Sequence, residues 1–91
     1  MNNQSVYQLA PGLELETVDD EAILLNVEED VFFGLNPVGF TIVTFVQNGH
    51  SVAEIIASVV EEFEVTSDEA TEDVHDFLSA LIDAELLVSV T

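Results

Sequence analysis

The sequence predicts an α+β domain, winged-helix-like, with a three-stranded antiparallel meander followed by three helices. Three observations carry this expectation. Between Leu13 and Leu35, short apolar runs with strand periodicity are separated by acidic turns. After Asn36-Pro37 the apolar spacing changes to steps of three and four, the period of a helix packed on one face. Each helical stretch also opens on Asn, Ser or Thr, residues whose side chains cap free backbone N–H groups.

The elements follow in order. Residues 1–12 read as a flexible lead-in punctuated by Pro11-Gly12, and residues 13–91 as a single domain. Leu13-Glu14-Leu15-Glu16-Thr17-Val18 alternates apolar with polar and predicts a strand with one buried face. Asp19-Asp20-Glu21 is a turn, and Ala22-Ile23-Leu24-Leu25-Asn26-Val27 predicts a second, more buried strand. Glu28-Glu29-Asp30 turns the chain again, into a third strand, Val31-Phe32-Phe33-Gly34-Leu35. Asn36 and Pro37 suit the N-cap and first position of a helix that carries Phe40, Val43 and Thr44 on one stripe and stops near Asn48-Gly49. Ser51-Val52-Ala53-Glu54 is a capping box opening a second helix, with Val52, Ile55, Ile56, Val59, Val60 and Phe63 at helical spacing. Thr66-Ser67-Asp68-Glu69 opens a third, with Ala70, Val74, Phe77, Leu78, Leu81 and Ile82 on its apolar side. Leu86-Leu87-Val88 closes the chain as a last turn or a short strand.

Charge narrows the function. The chain has 19 Asp and Glu and no Lys or Arg, a formal net charge of −19. Such a surface repels phosphates, so neither nucleic acid nor an anionic membrane is an expected partner. The helix-turn-helix character of the last two helices does not rescue DNA binding, because a third helix carrying Asp68, Glu69, Glu72, Asp73, Asp76 and Asp83 cannot dock in a groove lined by phosphates. The acid does not imply disorder, since 48% of the residues are hydrophobic. The expected partner is neutral, apolar or basic. No basic-then-apolar signal peptide opens the chain and no apolar run reaches the ~20 residues of a membrane span, so a cytoplasmic location is expected.

Catalytic parts are sparse. There is no Cys, and no Gly-rich phosphate loop. His50 lies in a turn, where a solvated loop residue is the simplest reading. His75 follows Glu72 by three, half of a di-iron carboxylate pattern whose second copy is missing. With so many acids, neighbouring carboxylates are unavoidable and read as a solvated face. A phosphopantetheine carrier would need Asp-Ser at a helix start, but Thr66 precedes Ser67 and the leading meander is foreign to carriers. The expectation is a non-enzymatic protein with no cofactor and no metal.

That leaves a binding module. The third strand would lie at an open sheet edge, contains no acid, and presents Phe32 and Phe33 on opposite faces. One reading packs one Phe in the core and the other against a helix. The other takes up a partner strand by β-augmentation.

The order Ala22-Ile23-Leu24-Leu25-Asn26, an acidic turn, Phe32-Phe33-Gly34-Leu35-Asn36 with Gly39, Asn48-Gly49-His50-Ser51-Val52-Ala53-Glu54-Ile55, then Asp73-Val74, Phe77-Leu78, Leu81 and Leu86-Leu87 resembles the PqqD-like proteins. The resemblance runs from about residue 13 to residue 88. These are small peptide chaperones, recognition elements for ribosomally made, post-translationally modified peptides. Among them the chain is most similar to the stand-alone proteins of lasso-peptide pathways. The resemblance implies that the leader segment of a precursor peptide adds as a strand to the third strand and lies against the third helix. It also implies delivery to a separate modifying enzyme, such as a leader peptidase or cyclase. Carried over, it points to Val31, Phe32, Phe33, Gly34 and Leu35, with Asp73, Asp76, Phe77 and Ala80 on the helix side. Relatives usually carry basic residues in the first two strands and Gly in the turn before the third, where this chain has Asp30 and Val31 and no cation anywhere. The competing reading, from a different class, is an acidic nucleic-acid mimic that occupies the basic site of a DNA-binding protein.

Overall fold

The computed structural model describes residues 2–19 and 21–90; Asp20 of the first acidic turn and the two terminal residues lie outside the described part. Along the chain run β1 (Tyr7–Leu9), β2 (Leu13–Val18), β3 (Glu21–Asn26), β4 (Val31–Leu35), α1 (Pro37–Gln47), α2 (Val52–Phe63), α3 (Ser67–Asp83) and β5 (Leu87–Ser89). The expected meander is the antiparallel sheet β2-β3-β4, and three helices follow it. Among the described residues no helix is long and apolar enough to cross a membrane.

The lead-in needs correction. A flexible segment over residues 1–12 was expected, yet β1 pairs antiparallel with β5, Tyr7 opposite Ser89 and Leu9 opposite Leu87. The carbonyls of Asn3 and Ser5 accept the N–H groups of Ala53 and Val52 at 3.0 Å each, in the first turn of α2, where helical donors have no partner of their own. Tyr7 and Leu9, two apart and hence on one side of the strand, pack against the core. The second sheet therefore ties the two ends of the chain together.

The helix starts follow the capping chemistry of the sequence. Asn36 Oδ1 accepts the Gly39 N–H at 2.7 Å. Ser51 and Glu54 close a reciprocal box, with N–H to side-chain distances of 3.3 and 2.8 Å. Thr66 Oγ1 accepts the Glu69 N–H at 3.2 Å. Gly49, just after α1, has φ of +80°, a conformation open to glycine. Glu64, the C-cap of α2, takes the same left-handed region at φ 53° with a side chain attached.

The core is mainly helical. Ile42, Val43 and Val46 of α1 meet Val52, Ile55, Ile56 and Val59 of α2, with Ala70, Val74, Leu78 and Leu81 of α3. The stripe expected on α1 is shifted: Phe40 and Thr44 are half-buried, while Gly39, Ile42 and Val46 join Val43 in the interior. Thr44 satisfies its hydroxyl locally by donating to the Phe40 carbonyl at 2.8 Å. Of the sheet, Leu24 enters fully, at 0% exposure, with Ala22 buried beside it. Cross-strand pairing puts Leu15, Leu24 and Phe33 on the inner face and Glu14, Leu25 and Phe32 on the outer one.

Candidate binding groove

β4 is an edge strand, hydrogen-bonded to β3 on one side only. Edge strands leave a row of backbone donors and acceptors free to pair, and proteins usually guard them with charge or Pro. This one is guarded by neither. Val31, Phe32 and Phe33 are 43%, 66% and 39% exposed. Gly34 is exposed with nothing within 4 Å of where its Cβ would stand, and Leu35 is half-buried against the core. Neither Phe is buried in the interior. The reading that tucks one into the core and lays the other on a helix is thus not what the structure shows.

Where β4 ends, a groove of about 420 Å³ begins. Asn36 stands at its mouth, Val38, Gly39 and Ile42 of α1 form its floor, and Asp73, Asp76 and Phe77 of α3 form its far wall. Phe77 is half-buried and packed on the core, whereas both carboxylates are exposed. The spacing 73, 76, 77 puts all three on one side of the helix. Gly39 makes the floor possible: an added Cβ would stand 3.1 Å from Cε1 and Cζ of Phe77.

Of the nine residues selected from the sequence, Asp73, Asp76 and Phe77 come together in this groove, and Val31 to Leu35 form the strand that leads to it. Ala80 is exposed on α3 beyond Phe77 and does not line the groove. The sequence reading missed the contribution of α1, namely Asn36, Val38, Gly39 and Ile42. The signal was present in Gly39, a glycine inside a helix, where it disfavours the helix by about 1 kcal/mol relative to Ala and implies a close neighbour.

A second opening of about 220 Å³ lies on the other side of the β4–α1 junction, between Thr17, Ala22, Leu35 and Phe40, with Asp19 and Glu21 beside it. The histidines stand apart from both. His50 Nδ1 is 3.5 Å from Glu54 Oε1, and its ring lies 4.8 Å from that of Phe45. The hydrogen bond from the Ser51 N–H, reinforced by His50, holds the Glu54 carboxyl below its usual range. His75 is half-buried, with Nε2 enclosed and unpartnered among the described residues. Among those residues no group of three or more His, Asp and Glu is placed to hold a metal ion.

Two solved structures share this architecture. One, "TbiB1 in Complex with the TbiA(beta) Leader Peptide", superposes with a TM-score of 0.78 at 31% identity, over 88% of this chain and 93% of that one. Another, "Lasso peptide synthetase B1 complexed with the leader peptide", reaches a TM-score of 0.81 over 90% and 96% of the two chains; at 23% identity it speaks to the fold alone. No curated protein matches the sequence. Residues 21–87 match the family model of PqqD, coenzyme PQQ synthesis protein D. The match spans both walls of the groove and the strand leading to it, and the chain belongs to the PqqD family.

Proposed function

We propose that this protein is a recognition element for the leader segment of a ribosomally synthesised precursor peptide, which adds as a strand to β4 and continues into the groove between α1 and α3. The observation that carries the reading is the unguarded β4 edge, with its exposed Val31, Phe32 and Phe33, running into an apolar-floored groove. An incoming strand would satisfy the backbone groups of the edge and cover the phenylalanines, so that hydrogen bonding supplies register and apolar burial supplies affinity. The solved TbiB1 structure at 31% identity, a complex with a leader peptide, supports it. The bound leader is then presented to a separate modifying enzyme, a leader peptidase or cyclase. The nine residues Val31 to Leu35, Asp73, Asp76, Phe77 and Ala80 are the proposed contact set, extended by Val38 and Gly39, with the buried Ile42 behind them. A nucleic-acid mimic would have no use for an exposed apolar edge.

The test is a titration of labelled leader peptide, taken from any short precursor gene found beside this one, against wild type, Phe32→Asp and Phe33→Asp. At least one substitution should weaken binding by more than about 2 kcal/mol, the scale of an interface hot spot. Unchanged affinity in both folded variants removes the strand-addition model.

A further inference from the structure

We infer, resting on the reading above, that the α1–α3 groove selects a Lys or Arg side chain in the bound segment. The groove has two chemistries in one reach. Its apolar surface is supplied by the half-buried Val38 and Phe77, with Ile42 buried beneath, and its rim carries the exposed carboxylates of Asp73 and Asp76. A purely apolar side chain would use the floor and leave the rim unanswered; an acidic one would meet repulsion. Lys and Arg match both halves, because their methylene stems lie along apolar surface while the charged head stays at the wet rim. The Phe77 ring adds a face to which a cation is attracted.

Nothing in the chain competes for this role. The sequence has no Lys or Arg, and His50 is placed with Glu54 at the start of α2. His75 is half-buried with its Nε2 enclosed and does not line the groove. Asp73 and Asp76 form no ion pair or side-chain hydrogen bond among the described residues, so their charge is unspent in the free protein. The net charge of −19 draws cationic segments in from a distance, and the two groove carboxylates decide where the cation comes to rest.

The test uses fluorescein-labelled peptides that share one alternating Tyr, Val and Thr strand sequence and differ, one position at a time, between Lys, norleucine and Glu. Binding is followed by anisotropy at low salt. At one position Lys should be preferred over Glu by about tenfold, the sum of modest gains from two exposed carboxylates and the repulsion they exert on an acid. Asp73→Asn with Asp76→Asn should reduce that preference to about twofold or less and leave the norleucine peptide bound as before. Glu14→Gln with Glu16→Gln, on the outer face of the sheet, should leave the preference intact. Equal loss from the Glu14 and Glu16 variant means a diffuse charge effect and overturns the inference. Peptides that bind, lose affinity in Phe33→Asp, yet show no Lys preference overturn it while the strand-addition reading stands. If no peptide of the set binds, a cation on a strand does not suffice for the groove and the inference falls, while strand addition is decided by the leader titration.

Discussion

Gly39 and Phe77 are fitted to each other: a Cβ on the first would stand 3.1 Å from two ring carbons of the second, closer than side chains ordinarily approach. The same Cβ would lie 3.2 Å from Asn36 Oδ1, the atom that caps α1. The glycine thus lets the ring rest on the first turn of the helix, which brings α3 close enough to α1 to make a groove rather than an open cleft.

Gly39→Ala should therefore separate stability from binding. Alanine gains about 1 kcal/mol of helix propensity over glycine, and crowding the ring costs about 1–3 kcal/mol, less where the ring can swing outward. Net stability should shift by about 1 kcal/mol or less, while leader affinity falls several-fold because Phe77 is displaced into the groove. Urea unfolding together with a leader titration reads both quantities. Wild-type affinity in a well-folded Gly39→Ala protein would show that Phe77 is not part of the binding surface.

The β1–β5 ribbon makes a second separable claim. Leu9 packs half-buried on the core directly opposite Leu87, which is 5% exposed. Leu9→Ala should cost about 1–2 kcal/mol, below the usual range for a fully buried leucine. A double-mutant cycle with Leu87→Ala should give a coupling of about 0.5–1 kcal/mol. A chain whose stability is indifferent to Leu9 would have a loose N-terminal segment in solution.

The ease with which the sequence could be read differs sharply between parts of the chain. β2, β4, the Asn36 and Thr66 caps and the Ser51–Glu54 box were legible because each is a local matter, a period or a cap within six residues. β1 was not, since three residues are too few to show alternation and its partner is at the other end of the chain. The α3 side of the groove came from the resemblance to the PqqD-like proteins, since the acids around Phe77 alone read as a solvated face. Its α1 side was hidden because Val38 and Ile42 look like ordinary core positions, and only the packing of α3 across Gly39 turns them into a floor.

Glu64 predicts a stabilising substitution. It sits in the left-handed region at φ 53° as the C-cap of α2, its N–H donating to the Val60 carbonyl at 3.1 Å. A side chain there costs about 1–2 kcal/mol, and an anion at a helix C-terminus opposes the dipole by about 0.3–1 kcal/mol. Glycine removes both effects but adds entropy to the unfolded chain, so Glu64→Gly should stabilise by about 1 kcal/mol. Glu64→Gln, which removes only the charge, should recover the smaller share. Equal urea midpoints for the two variants would mean that backbone strain at this position is negligible.

The last prediction comes from charge and size together. The folded chain has a radius of gyration of 12.6 Å and spans 36 × 32 × 20 Å, whereas an unfolded chain of this length would have a radius near 30 Å. Folding therefore brings nineteen carboxylates closer together, with no Lys or Arg to offset them. At 10 mM salt the Debye length is about 30 Å, so charges on opposite sides of the molecule still repel. At 150 mM it is about 8 Å and only neighbours do. Screening should relieve the folded state more than the unfolded one, and Tm should rise by about 5 °C or more between these two concentrations, since 1 kcal/mol corresponds to about 4–8 °C for a domain of this size. Thermal melts in NaCl and KCl should coincide, because screening depends on ionic strength rather than on the ion. A flat curve would show that the carboxylates are spaced widely enough for self-repulsion to be negligible. A rise with one cation only would indicate a specific binding site instead of screening.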